Sequence, residues 1–290
     1  MNLATLIPLV LKASIVLLVV GLGLKATLDD VTSLFRRPGL LLRSLLSMNV
    51  VMPLFATVLA LVFDFHQAVK IALVALAVSP VPPILPKKEL KAGGTASYAM
   101  GLLVAAALLA IFLVPLTIKV LGPAFGREGH ISFLTVVKLV LSTVLVPTAA
   151  GIVVRRLVPA LAERMTKPVS ALATVLLVAG SLPILFTAWP AISSLIGNGT
   201  IAALAVFVLV GLAAGHWLGG PDPQDRTVLA LSTASRHPGM AMAIAQANFP
   251  GQKLVVGAVL LYLIVNVILS ALYLTSRRRH PAEFEGAVKT

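Results

Sequence analysis

Apolar runs long enough to cross a lipid bilayer recur from residue 5 to residue 276, and the polar connections between them are mostly shorter than a dozen residues. A hydrocarbon core of roughly 30 Å takes about 20 residues of helix. "LVVGAVLLYLIVNVILSALYL" (254–274) and "GLLVAAALLAIFLVPLTI" (101–118) meet that requirement most clearly. Backbone groups inside lipid have no water to bond, so the runs must close their hydrogen bonds internally as helices. The composition agrees: 59% of residues are hydrophobic, 11% are charged and the mean hydropathy is +1.03, outside the range of soluble domains. The expected fold is therefore an all-α polytopic membrane protein, with residues 1–290 forming a single transmembrane domain and no soluble domain.

Apolar runs read against their punctuation predict helices near 5–24, 39–63, 68–91, 94–120, 131–156, 166–188, 199–219, 225–249 and 254–276. That is an odd number of spans, so the termini lie on opposite sides. Lys and Arg of short loops stay in the cytoplasm. With the C-terminus inside, only Lys70, Lys119, Arg127 and Lys253 fall outside, whereas Arg36, Arg37, Lys87, Lys88, Lys91, Arg155, Arg156 and Arg277 to Arg279 fall inside with most of the rest. This predicts a multi-pass protein of a bacterial inner membrane with its N-terminus out. The net charge of +13 is what cytoplasmic loops collect, so nucleic acid is not an expected partner; the lipid bilayer is. No cleavable leader is evident, so the first apolar run is expected to be retained. With no cysteine, disulfides and thiolate metal sites are excluded; no cofactor is expected, and the oligomeric state is left open, a monomer included.

Three basic residues lie within spans: Lys12, Lys138 and Arg236. The two lysines sit about two turns in, where a long stem can snorkel to the headgroups. Arg236 is near the middle of its span. Such an arginine costs roughly 2.5 to 3.5 kcal/mol on insertion scales, so it should face the protein interior and meet an anion or water. Every acidic residue is assigned to a loop, a helix end or a tail, which leaves a ligand as the expected partner. Pro238 and Gly239 follow at once in "LALSTASRHPGMAMAIAQ" (229–246), and a proline within a helix removes a backbone hydrogen bond. The third span carries its own interruption in "SPVPPILPKK" (79–88). Two broken spans at corresponding places in two halves of a chain point to a secondary transporter with inverted repeats.

Several segments resemble the bile acid:sodium symporter family: "GLGLKATLDDVTSLFRRP" (21–38), "GGPDPQDRTVLALSTASRHPGMAMAIAQANF" (219–249), "VVKLVLSTVLVP" (136–147) and "IVNVILSALY" (264–273). The resemblance implies two inverted repeats whose crossing members are discontinuous. It also implies a variant lacking the first helix: nine helices as 4+5, with a first repeat of about 1–125, a second of about 126–280 and a tail over 281–290. "GGTAS" (93–97) matches part of the family's first crossing motif, but the apolar run after it is too short to be both a crossing helix and its successor. "SPVPPILPKK" is therefore assigned to the crossing, and "GGTAS" to the turn that follows.

The family's sodium cage resembles a glutamate and a glutamine in the second crossing segment, a serine and an asparagine in the first, and a glutamine before a Met-Pro pair. Aligned on Gly239, those places hold Ser232 and Arg236, with His237 next; the first segment offers about Leu85 and Pro86, and Met48 with Asn49 precedes Met52-Pro53. A hard cation needs several oxygen ligands, and few remain, so no metal site is expected. A guanidinium can instead supply the positive charge for a carboxylate, bound bidentately. The expected substrate-binding residues are Arg236, His237, Ser235, Ser232, Thr233, Asn266, Asn49, Pro83, Lys87 and Lys88, with the two lysines read more readily as cytoplasmic loop charges and His237 as proton carrier or neutral partner. The expected function is transport of a small or amphipathic organic anion by alternating access without sodium. The alternatives are a sodium symporter with relocated ligands and a membrane sensor. A membrane enzyme is disfavoured because H-E-x-x-H and G-x-S-x-G motifs are missing.

Overall fold

The computed structural model describes residues 3–126 and 128–279; Arg127, the chain's first two residues and the tail, including Lys289, lie outside the described residues. Among the described residues all regular structure is helical. Seven helical spans among these residues are long and apolar enough to cross a membrane.

The first, α1 (Leu3–Gly23), ends where Thr27 and Asp30 cap each other reciprocally and start the short α2 (Leu28–Thr32). A 3₁₀ turn and Pro38 then open a span made of α3 (Pro38–Leu45), a π turn (Leu46–Val51) and α4 (Met52–Val62). The π turn has a plain cause: Pro53 lacks an N–H and its ring crowds the preceding turn, which a widened turn relieves. The same device recurs ahead of Pro147, where α8 (Phe133–Val140) passes through a π turn (Leu141–Leu145) into α9 (Val146–Leu157).

Two further segments are broken. The helix α5 (Gln67–Val78) stops at Ser79-Pro80, and α6 (Leu85–Lys91) resumes after the prolines. Likewise α12 (Pro223–Ala234) stops at Ser235, and α13 (Pro238–Asn248) starts on Pro238 with His237 as its N-cap. Both interruptions fall where the proline patterns put them, and Gly93-Gly94 form a turn before α7 (Ala96–Leu121). The remaining helices are α10 (Pro159–Ser194), α11 (Thr200–Leu218) and α14 (Val255–Arg279).

One boundary differs from the sequence reading. The sixth span, expected over 166–188, belongs to a helix of 36 residues that carries Pro168, Pro183 and Pro190 without breaking. Only 11% of its apolar window is buried inside the protein, so most of its surface faces outward although α1 lies along it. Pro159 at its first turn needs no N–H donor, which lets the helix begin directly after α9.

Packing divides the helices into two groups. α1, α9 and α10 lie together, with Gly23 and Gly151 at a backbone contact so close that a Cβ on Gly23 would sit 2.5 Å from the Thr148 carbonyl oxygen. α11 and α12 pack equally tightly: Gly211, Gly215 and Gly219 repeat at one-turn spacing, and a Cβ on Gly215 would lie 2.3 Å from the Leu229 oxygen. Small residues at every fourth position are how membrane helices bring their backbones together. The broken α12 is thereby seated against an unbroken helix, with α5, α13 and α14 around it. Exposed Phe112, Leu116, Phe186, Trp217, Val267 and Leu272 form the greasy exterior, and Lys12 and Lys138 are also on the outside, as snorkelling requires.

Candidate substrate-binding site

The two helix breaks touch. The His237 amide donates to the Pro80 carbonyl at 2.9 Å, and Arg236 Nη1 donates to the Ser79 carbonyl at 3.2 Å. Arg236 Nη2 donates to the Met48 carbonyl in the first π turn at 3.0 Å. One guanidinium thus takes up carbonyls that the first helix break and the first π turn leave short of partners. Arg236 is 1% exposed and heads the largest fully buried side chains among the described residues. Its Nε has no partner, and among the described residues no carboxylate lies within ion-pair distance of it.

His237 is buried beside it and caps α13, its Nδ1 accepting from the Met240 amide at 3.3 Å. An imidazole that accepts at Nδ1 carries its proton at Nε2 when neutral. Nε2 is buried and unpartnered, as is Nε of Arg236, the preceding residue. The N-terminus of α13 adds its partial positive charge at the same place.

Neutral groups brace this centre. Ser235, inside the break, accepts from Asn266 Nδ2 of α14 at 3.1 Å, and Asn266 Oδ1 accepts from Ser270 at 2.9 Å. The Thr233 hydroxyl meets that of Ser47 at 2.8 Å, tying α12 to the π turn, where Asn49 sits half-buried beside Met48. The Tyr262 hydroxyl donates to the Ala234 carbonyl at 2.7 Å, so the last carbonyl before the second break also has a partner. Pro83 is buried within the first break.

The structure therefore brings together Arg236, His237, Ser235, Thr233, Asn266 and Asn49, with Pro83 in the adjoining break. It does not gather the lysines there. Lys87 Nζ donates to Thr174 of α10 at 2.9 Å, and Lys88 is half-buried on the same short helix. Ser232 also lies apart from Arg236, one helical turn earlier, and its hydroxyl donates to Glu89 Oε1 at 2.6 Å.

Glu89 is the residue that the sequence does not reveal. Placed at a cytoplasmic helix end by its neighbours Lys87 and Lys88, it is in fact 1% exposed, and its Oε2 is buried without a partner. Asp225 is similarly buried, at 1%, but it is satisfied: Arg37 Nη2 and the Thr95 hydroxyl each donate to it at 2.8 Å.

A largely apolar helical protein whose polar centre lies where two broken helices meet is built as a membrane protein with an internal site. The chain belongs to the sodium bile acid symporter family, which matches residues 13–194. Members of that family are membrane transporters rather than enzymes. The match covers the first break and ends before the second, so Arg236, His237 and Asn266 lie beyond it. Among curated proteins no match is found.

Proposed function

We propose that the protein is a secondary transporter of a small or amphipathic organic anion, with Arg236 as the fixed cation that meets the carboxylate and no sodium requirement. The observation that carries the reading is the placement of Arg236: buried, held by backbone carbonyls of the first break and the first π turn, free of any carboxylate among the described residues, and with Nε and His237 Nε2 left as unpartnered donors. A carboxylate bound there would receive charge-assisted hydrogen bonds in a site where desolvation strengthens them.

The rest of the proposal follows the sequence. The seven long helices and two broken ones make nine spans, arranged as inverted repeats of four and five with the broken members crossing. The two breaks support the repeat, because they fall in the third and eighth spans, the fourth member of each half once the absent first helix is counted. Rocking of the group containing the breaks against α1, α9 and α10 would expose the site to either side in turn. The chain would sit in a bacterial inner membrane with its C-terminus in the cytoplasm.

The test is thermal unfolding of the purified protein with a panel of short and amphipathic carboxylates, in sodium chloride and in choline chloride. A ligand present at 100 times its dissociation constant adds about 2.7 kcal/mol. Stabilisation by a carboxylate, equal in both salts and lost in Arg236→Met, is expected; stabilisation that depends on sodium and survives Arg236→Met overturns the reading. A sodium-coupled cycle with relocated ligands is the second reading, favoured by the buried carboxylate of Glu89 against Ser232.

A further inference from the structure

Among the described residues the fully buried charged side chains, as distinct from histidine, are Glu89, Asp225 and Arg236. Asp225 is paired with Arg37 across a 2.8 Å contact. Arg236 and Glu89 each keep an unpartnered polar atom, Nε on the one and Oε2 on the other. They lie on the two broken segments, Glu89 on α6 in contact with Ser232 of α12, and Arg236 in the second break.

We propose that Glu89 carries the coupling proton: its Oε2 is protonated when an organic anion occupies Arg236 and deprotonated when that site is empty. The inference rests on the anion reading of Arg236. Its ground is charge balance in a low-dielectric interior. With the site empty, an ionised Glu89 would set one buried negative charge against the buried positive charge of Arg236, although no contact joins the two. With a carboxylate on Arg236, an ionised Glu89 would leave one excess negative charge buried, which is costly. Adding one proton to Oε2 restores neutrality, so the loaded and empty protein both cross between states without net buried charge. The step is a simple transfer: a water-borne proton bonds to Oε2, converting carboxylate to carboxylic acid, and returns to water when α6 and α12 open to the other side.

The surroundings favour a proton over a metal ion. A hard cation wants about six or more oxygens, whereas Glu89 has one side-chain oxygen neighbour, Ser232 Oγ, and no cluster of three or more His, Cys, Asp or Glu occurs among the described residues. The other ionisable groups facing it are Lys88 on its own helix, which would repel a metal ion, and Tyr98 from α7. Asp225, on α12, is within reach of Tyr98 but is engaged by Arg37 and Thr95. His237 is the poorer proton carrier, because protonating Nδ1 would break the cap on α13.

Infrared difference spectroscopy on the purified full-length protein, titrated between acid and alkaline buffer, reads the C=O stretch of a protonated buried carboxyl apart from ionised carboxylates. We expect one such titrating band in the wild type, lost in Glu89→Gln. Ser232→Ala, which keeps the carboxyl and removes the donor to Oε1, should retain the band at a shifted frequency. Exchanging choline for sodium at fixed pH should leave it unchanged. The absence of a titrating band, its persistence in Glu89→Gln, an unshifted band in Ser232→Ala, or its removal by sodium would each overturn the proposal. No organic anion is needed, so a failed ligand screen at Arg236 and a failed titration at Glu89 remain separate results.

Discussion

Replacing Arg236 separates its structural work from its electrostatic work. Its two hydrogen bonds satisfy the Ser79 and Met48 carbonyls, and losing both would leave two buried acceptors unpaired. At about 1–3 kcal/mol for each unsatisfied group, that is a loss of about 2–6 kcal/mol. Arg236→Met incurs this loss but also removes a buried, unpaired charge, whose burial costs several kcal/mol. The two effects nearly cancel, so without ligand the methionine variant should unfold within about 2 kcal/mol of the wild type. Arg236→Lys is the harsher change although it keeps the charge. An ammonium on a single stem cannot span two carbonyls on separate elements as the planar guanidinium does. The lysine variant therefore keeps the desolvation cost and abandons at least one acceptor, which puts it about 2 kcal/mol below the methionine variant, or about 4–8 °C in melting temperature for a chain of this size. Heating the three proteins in the same detergent, without anions, measures the order. A lysine variant as stable as the wild type, beside a methionine variant that collapses, would refute the argument, because it would mean that a resident anion already pairs with the charge.

Gly215→Ala should reduce the yield of monodisperse protein sharply in size-exclusion profiles, since its Cβ would meet the Leu229 oxygen at 2.3 Å, whereas Gly39→Ala, with nothing within 4 Å, should stabilise by about 0.5–1 kcal/mol. Arg37→Ala strands the buried Asp225 and should cost more than Asp225→Asn, by about 1 kcal/mol after allowance for the half-exposed arginine, in the same melting assay. The cysteine-free chain allows direct mapping of sidedness: in whole cells a membrane-impermeant maleimide should label Lys253→Cys and leave Arg164→Cys unlabelled until the membrane is opened.

The breaks were legible because their causes are local. Pro80, Pro82, Pro83 and Pro238 remove donors wherever they stand, and a break in a membrane segment must find partners within the protein. Arg236 was legible for a related reason: its depth in an apolar run fixes its cost whatever surrounds it. Glu89 was not legible, because nothing local buries it. In sequence it stands among lysines at a helix end; what encloses it is Ser232, more than a hundred residues away, brought there by the seating of α12 on the glycines of α11. Asp225 escaped notice in the same way, its partners Arg37 and Thr95 belonging to the other half of the chain. The length of α10 was hidden by its prolines, which signal breaks only where packing or a competing bond takes advantage of them.

A fixed cation changes what can drive transport. A sodium ion that enters and leaves with its substrate brings the energy of its gradient into the cycle, because its binding differs between the two sides. As the proposed recognising cation, Arg236 would keep the same charge in every state, so it would meet an anion without by itself biasing the direction of movement; a group with no differential free energy between two states shifts nothing. Accumulation against a gradient then requires a second group whose occupancy changes during the cycle. Among the buried ionisable side chains, Asp225 is locked by Arg37, and His237 is committed to capping α13. Among the described residues Glu89 alone combines burial, a free oxygen and contact with the other broken helix. Arg236 as the recognising charge therefore makes Glu89 the place to look for the driving one, and a carrier in which the titration of Glu89 is absent should equilibrate its anion without concentrating it.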